Sequence, residues 1–371
     1  MKVTFPHMGN AHIAIKSLLE GLKLEVVPPP PITNKTLELG IKYSPEFACM
    51  PLKINIGNFI EALEKGADTI VMAGGWGPCR FGYYAQVERD ILQDLGYRFD
   101  MIILEAPDFK FTELFQQLKS LGENVSFLQA ARVIRFAWQK LNAVEKIEQG
   151  FEFFLPRVID KDKAEKIYHR GLEAVNAAIS REELDHAYET AVRAWQDLEQ
   201  HRKKLLRIGL VGEIYTVLEP STNYNIVQFL GRMEVDVVRS IYLSDWVNDH
   251  ICKGLVKKAH RPQVIRSARP YLNYWVGGHG QETVGSTVEM ARNHLDGVIQ
   301  IGPLTCMPEI VAHSILGKVA VEENIPCMTL YFDEHAGNAG VHTRLEAFAD
   351  MLRRKKSDRS LRKEEVTAQS R

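Results

Sequence analysis

Nowhere in its 371 residues does the chain carry an uninterrupted apolar run of about 18 residues, the length a helix needs to cross a bilayer. It also lacks a charged-then-apolar leader with a small-residue cleavage site, because Met1-Lys2-Val3-Thr4-Phe5-Pro6 leads straight into a short strand pattern. Together these absences predict a cytoplasmic protein with no membrane partner. An excess of one charge is missing too: 46 Lys and Arg face 47 Asp and Glu, for a formal charge of -1. A nucleic-acid binder needs a basic face, so no nucleic-acid partner is expected. Cysteine is scarce, with five residues, an odd number, and no Cys-x-x-Cys pair. That excludes a disulfide framework and, in a reducing compartment, leaves metal or redox chemistry for any thiol placed in a loop.

What the chain does have is alternation. Short apolar runs at Val3-Phe5, Leu24-Val27, Thr69-Ala73 and Met101-Leu104 are separated by helical patterns near 12–22, 51–65 and 83–95. The same alternation returns from Arg207-Ile208-Gly209-Leu210-Val211-Gly212-Glu213 through Val235-Val238, Gly297-Ile301 and Met328-Phe332, with helices near 226–232, 245–258, 282–294, 308–321 and 343–355. This is the signature of α/β architecture with mostly parallel sheets. Two Rossmann/flavodoxin-like doubly wound lobes are predicted, residues 1–110 and 207–355. A polar helical segment over 111–206 connects them. Within it Leu172, Val175 and Ile179, then Leu184, Ala187, Ala191 and Trp195, keep a helical spacing of three or four. The charged tail, 356–371, has no apolar face and is expected to be disordered.

Three of the cysteines sit where a strand-like run breaks and a helical pattern begins. Cys49-Met50-Pro51 and Cys306-Met307-Pro308 repeat one tripeptide, and Cys79 follows Gly77-Pro78. Proline suits the first turn of a helix, where its missing N–H would have no partner, so each tripeptide reads as a helix start with the thiol just outside. The recurrence points to equivalent strand-to-helix junctions in two facing lobes. A helix N-terminus favours thiolate over thiol. An isolated cysteine is often only a small core hydrophobe. Cys327, in Ile325-Pro326-Cys327-Met328, and Cys252, in the helical pattern after Trp246, fit that reading and are assigned to the core. The three loop cysteines are candidates to converge on one metal centre outside the carboxyl ends of the strands. Structural zinc normally shows a tight Cys-x2-4-Cys pair, absent here, and iron–sulfur clusters normally take four cysteines, so three leave one position open.

The stretches Tyr43-Ser44-Pro45-Glu46-Phe47-Ala48-Cys49-Met50-Pro51-Leu52-Lys53, Gly77-Pro78-Cys79-Arg80-Phe81-Gly82-Tyr83-Tyr84, Gly212-Glu213-Ile214-Tyr215 and Thr305-Cys306-Met307-Pro308-Glu309 resemble the 2-hydroxyacyl-CoA dehydratase superfamily. The closest branch is the CoA protein activase or acyl-CoA dehydratase activase-related group, which includes relatives of the double-cubane cluster proteins. Asp333-Glu334-His335, followed by Gly337 and Gly340, is similar to that branch's C-terminal signature. The resemblance implies an oxygen-sensitive [4Fe-4S] cluster held by Cys49, Cys79 and Cys306, with an iron site left open for reduction or dehydration of a small substrate. It also implies electrons supplied by a separate ATP-hydrolysing activator of the actin-like class, a homologous subunit as a further partner, or alternatively a role as a non-catalytic electron carrier. The chain has neither a Gly-x4-Gly-Lys-Ser/Thr loop nor the activator's phosphate loop, so no ATPase activity of its own is expected.

Several ionisable residues flank these motifs. Glu46, Glu309, Glu334 and His335 are candidates for proton transfer, against the plainer reading of solvated loop residues, and Arg80 and Lys53 are candidates to offset cluster charge. Gly277-Gly278-His279-Gly280-Gln281-Glu282-Thr283-Val284-Gly285 reads either as backbone N–H groups offered to an anion or as a glycine turn before a helix. Met8-Gly9-Asn10 reads as an ordinary turn after the first strand, with ligand contact as the alternative.

Overall fold

Helices on both faces allow strands to be apolar throughout, and this is how the two sheets are built. The computed structural model describes every residue except 76, 106–110, 123–124, 251, 253–256 and 370–371, and the backbone alone for 111, 112, 114, 120 and 359–369. Strands β1 (Lys2–Thr4), β2 (Glu25–Val26), β3 (Thr69–Ala73) and β4 (Asp100–Leu104) pair in parallel in the order β2-β1-β3-β4. Strands β5 (Leu206–Gly212), β6 (Val235–Arg239), β7 (Gly297–Pro303) and β8 (Cys327–Phe332) repeat that order as β6-β5-β7-β8. Ile208, Leu210, Val298, Ile299 and Ile301 are wholly buried between the helical layers. The chain is thus an α/β protein of two lobes, and each sheet reverses its direction of winding once, between β1 and β3 and between β5 and β7. Such a reversal opens a crevice at the carboxyl ends of the strands.

In the first lobe α1 (His12–Gly21) follows β1, and α2 (Asn34–Tyr43) and α3 (Met50–Glu64) lie between β2 and β3. The sequence reading has no counterpart of α2. Its start is closed by reciprocal side-chain caps between Thr33 and Thr36, a threonine where a capping box usually has Glu or Gln. Helices α2 and α3 meet backbone to backbone. A Cβ on Gly40 would lie 1.9 Å from the Lys53 carbonyl oxygen, and one on Gly57 would lie 1.9 Å from that of Thr36. This contact fixes the start of α3, where Cys49 sits. After β3 a 3-10 turn, Arg80–Tyr83, leads into α4 (Tyr84–Asp94).

The connecting layer consists of α5 (Phe111–Leu121), α6 (Phe127–Phe154), α7 (Lys161–Ala177) and α8 (Arg181–Gln196). Leu172, Val175, Leu184, Ala187, Ala191 and Trp195 are buried as their spacing predicts. Ile179 is not: it is 82% exposed, because α7 ends at Ala177 and the Ser180 cap starts the next helix. Helix α6 joins the lobes, since Glu148 accepts from Asn10 Nδ2 at 2.7 Å on one side and from Arg239 Nη2 at 2.7 Å on the other.

The second lobe adds α9 (Ile214–Leu218), α10 (Ile226–Arg232), α11 (Leu243–His250), α12 (Arg261–Ala268), α13 (Gly280–Arg292), α14 (Met307–Glu322) and α15 (Asn338–Gln369). The single helix expected over 245–258 is described only to His250, and most of residues 251–258 lie outside the described residues. Helix α15 continues to Gln369, through most of the segment whose charge predicts disorder. The Lys, Arg, Glu and Ala residues of that segment are good helix formers and extend a helix already nucleated. Among the described residues no helix is long and apolar enough to cross a membrane.

Candidate functional site

Each of the three loop cysteines takes the place its neighbours predict. Cys49 caps α3 with Pro51 in the first turn, Cys306 caps α14 with Pro308 in the first turn, and Cys79 caps the 3-10 turn that leads into α4. The two Cys-Met-Pro copies, however, are not equivalent. Cys306 follows β7, the third strand of its lobe, as Cys79 follows β3, whereas Cys49 caps the helix that precedes β3. The counterpart of Cys49 in the second lobe is His279, the cap of α13, which precedes β7. The tripeptide marks a way of starting a helix rather than a shared position.

One side chain ties the three cysteine loops together. Arg80, next to Cys79, donates from Nη1 to the Phe47 carbonyl at 2.8 Å, two residues before Cys49. From Nη2 it donates to both the carbonyl and the hydroxyl of Thr305, next to Cys306, at 2.8 Å each. The planar guanidinium suits this divergent grip on carbonyl oxygens. Around it the lobes pack closely. A Cβ on Gly77, whose φ is +102°, would lie 2.3 Å from the Trp275 ring, and one on Gly277, whose φ is +88°, would lie 3.1 Å from the Cys79 nitrogen. Gly278 and Gly280 face Pro308. The glycine turn at 277–280 therefore packs against both Cys79 and the start of α14, which accords with the turn-before-helix reading.

Helix N-termini are expected to favour thiolates, but burial outweighs them here. Desolvation pushes the Cys49 thiol up, opposed by a hydrogen bond with the Tyr84 hydroxyl, and the nearby Glu213 adds to the rise. Cys79 is raised by burial and by Glu213, and Cys306 is raised furthest, by burial, Glu213 and Glu309. Cys49 is felt electrostatically by Cys306 and itself feels Cys79, so the three thiols share one neighbourhood. Left to themselves they are neutral thiols, and they lose their protons only to a ligand that binds thiolate.

Glu213 is the residue of the site that sequence reasoning does not single out, although its Gly-Glu-Ile-Tyr motif is in view. It caps α9, accepting from the Tyr215 and Thr216 backbone nitrogens at 2.9 Å each and from the Thr216 hydroxyl at 2.8 Å. Burial raises its carboxyl. Tyr84 and Thr305 are likewise missed, and each takes its role from a partner distant in sequence.

The four candidate proton-transfer residues, Glu46, Glu309, Glu334 and His335, are not assembled at one point. Glu46 is exposed, and its carbonyl, at 3.0 Å, accepts from Lys53 Nζ, which is also 2.6 Å from the Glu334 carboxylate. His335 is exposed, and its backbone nitrogen bonds Asp333 at 3.0 Å. Lys53, only 2% exposed, thus joins the loops that carry Glu46 and His335. Glu309 lies apart, fully buried, accepting from Thr283 Oγ1 at 3.0 Å and from Gln300 Nε2 at 2.8 Å. Burial pushes its carboxyl up to about 8. Cys252 and Cys327 are half-buried rather than enclosed, and Cys327 opens β8 with its thiol pushed up to about 12 by burial. The turn at Met8-Gly9-Asn10 is occupied by the protein itself, with the Gly9 nitrogen donating to Glu219 at 2.6 Å and Asn10 held by Glu148 and Tyr168.

Large apolar side chains crowd the same loops on the outside. Phe47, Tyr83, Tyr274, Trp275, Leu304 and Met307 are between 40% and 74% exposed. Among the described residues no group of three or more His, Cys, Asp or Glu side chains is placed to hold a metal ion. No family model and no curated protein matches the chain. Among solved structures it is similar to the SBP FpvC from P. aeruginosa in complex with a Ni2+ ion, at 10% identity over 96% of this chain and 97% of that one, with a TM-score of 0.23, too low to equate the two folds.

Proposed function

We propose that this chain is an iron–sulfur protein of the 2-hydroxyacyl-CoA dehydratase type, with one [4Fe-4S] cluster held between its lobes by Cys49, Cys79 and Cys306. The observation that carries this reading is the Arg80 grip on Phe47 and Thr305, which holds all three cysteine loops at one junction. The donor set fits the group. Three thiols at helix starts are the right chemistry, and a cubane places each thiolate on its own iron, so its ligands stand farther apart than those of a single ion. Among the described residues the thiols are not gathered closely enough to hold a single metal ion.

When bound, such a cluster supplies one-electron chemistry and one iron free of protein thiolate. The chain's own residues do the rest. Burial keeps the free thiols protonated, the Tyr84 hydroxyl is hydrogen-bonded with the Cys49 sulfur, and Arg80 would place positive charge beside a bound anionic cluster. A reaction with a small substrate at the free iron is one use of this arrangement. The exposed apolar side chains at the site favour a second, transfer of electrons to or from a docked protein, because exposed aromatic clusters mark interaction surfaces. The ATP-dependent step belongs to a separate activator, so the isolated chain hydrolyses no ATP.

The test is anaerobic purification with iron and acid-labile sulfide measured per chain, and electron paramagnetic resonance after reduction. Four irons and four sulfides with a reduced-cluster signal are expected. Stoichiometric zinc without sulfide, or intrinsic ATPase activity, would overturn the reading. A spectrum that shifts when cyanide or a small substrate is added marks the free iron as reactive, and an unresponsive one assigns the protein to electron transfer.

A further inference from the structure

At the far end of the second lobe, where the strands begin, lies a concave site that the cysteine chemistry does not use. Its volume is about 520 Å³, and Arg157, Arg202, Lys203, Lys204, Arg207 and Lys356 line it. Among the described residues the acidic ones in its wall are Asp236 and Asp296. In a chain whose formal charge is -1, this is a local excess of positive charge.

Part of that charge is neutralised within the protein. Asp236 binds Arg157 through two hydrogen bonds, at 3.0 and 3.1 Å. Asp296 takes Lys356 Nζ at 2.7 Å and the Arg207 backbone nitrogen at 2.8 Å. Lys203 reaches Glu234, just outside, at 3.0 Å. Arg207 Nε lies 3.6 Å from Asp236, and the Arg207 side chain is 46% exposed. Arg202 and Lys204 are exposed on the segment between α8 and β5. The acids thus pair with Arg157, Arg207 and Lys356, while Arg202 and Lys204 line the cavity exposed to solvent.

We propose that this cavity binds a small molecule bearing several phosphate groups. Three features select that class. The charge is concentrated in a concavity of ligand size rather than spread over a flat face. Guanidinium and ammonium groups together match tetrahedral oxyanions, the arginines by paired donors and the lysines as point charges. A single inorganic anion would engage only part of the ring of cations, whereas a chain of phosphates reaches several. The seven residues of β5 rise about 3.3 Å each, so the cavity lies roughly 20 Å from the cysteine end of the lobe. It is a second site, independent of whether a cluster is bound.

The experiment uses the full chain with inorganic tripolyphosphate, followed by calorimetry at two salt concentrations. Saturable one-to-one binding that weakens with salt is expected. The double variant Arg202→Glu/Lys204→Glu should weaken it by about tenfold or more, with an unchanged circular dichroism spectrum and melting temperature. The control Lys166→Glu/Arg344→Glu changes the net charge equally but lies outside the cavity, and it should keep the affinity within about twofold. Sedimentation with vesicles containing a phosphoinositide separates the two sources of the same chemistry. Vesicle binding that tripolyphosphate displaces assigns the cavity to a lipid headgroup, and binding of tripolyphosphate alone assigns it to a free phosphorylated molecule. No saturable binding to either probe, or equal loss in the control variant, overturns the proposal.

Discussion

The two lobes wind their strands in the same order, yet they furnish the same two positions differently. Ahead of the third strand the first lobe caps its helix with Cys49 and the second with His279. After the third strand the first lobe places Cys79 before a 3-10 turn, and the second places Cys306 directly on α14. Two positions in each of two lobes therefore carry three thiols and one imidazole. His279 is buried, burial lowers it to about 4, and its Nε2 has no hydrogen-bond partner among the described residues. The contrast teaches that a repeated architecture supplies repeated helix starts at the mouth of the crevice, while the residue on each start decides the chemistry.

The largest expected effect tests that contrast directly. Cys49→Ala, Cys79→Ala and Cys306→Ala should each remove most of the bound iron after anaerobic reconstitution, because no neighbouring residue replaces the lost thiolate. His279→Gln, at the position equivalent to Cys49, should leave iron content nearly unchanged, as should Cys252→Ala and Cys327→Ala. Iron lost with His279→Gln but kept in any one of the three cysteine variants would break the comparison and reassign the ligand set.

A second difference lies in the helices that come after the third strands. Each carries a fully buried carboxyl pushed up to about 8 by desolvation, Glu88 on α4 and Glu309 on α14. Their surroundings are opposite. Glu309 faces donors, Thr283 Oγ1 and Gln300 Nε2. Glu88 accepts from Asn55 Nδ2 at 2.9 Å, and among the described residues both its other oxygen and Asn55 Oδ1 lack partners, an arrangement that a protonated Glu88 would complete. Since both folded values lie above the ordinary 4.5, stability is fully present below about 4.5 and falls as pH rises through about 8. For Glu88 the loss is on the order of 5 kcal/mol by the alkaline limit. Glu88→Gln should abolish its share of that slope at no cost at pH 7, as its amide pairs with Asn55. Glu309→Gln, by contrast, sets an N–H₂ against donors and should lower stability by about 1–3 kcal/mol. Denaturant melts at pH 5, 7 and 9 measure both, and equal behaviour of the two variants would refute the distinction.

Much of this is legible in the sequence because it is local. A cysteine with proline two residues later fixes a helix start from either side, and alternating apolar runs with helical patterns between them specify the two lobes. Helix α2 is hidden because its cap uses Thr36 where a carboxylate or amide is the usual signal. Ile179 is misplaced because its spacing continues a pattern that the chain abandons after Ala177. Glu213, Thr305 and Tyr84 are in view as parts of motifs, but their roles depend on partners tens to hundreds of residues away, which no local pattern carries. The inequivalence of the two Cys-Met-Pro copies is of the same kind, since it is a fact of strand order.

The smallest effect concerns the residue that bridges the lobes. Arg80 belongs to the first lobe and grips Thr305 of the second, yet it is exposed, so water competes for its donors and its loss should cost only about 1–2 kcal/mol. Arg80→Ala should therefore fold, with a melting temperature a few degrees lower. Its distinctive consequence is local. Cys306 is only 9% exposed, and freeing the Thr305 loop should raise its rate of alkylation in the metal-free protein several-fold, while Cys327 on β8 keeps its rate. In the reconstituted protein the same change should speed iron release to a chelator. Arg80→Lys should recover only part of the effect, because one ammonium cannot hold the Phe47 carbonyl and both oxygens of Thr305 in the guanidinium's fixed directions. Unchanged alkylation of Cys306 in Arg80→Ala would show that the Thr305 loop is held without Arg80, by other contacts between the lobes such as the packing of Gly277 against Cys79.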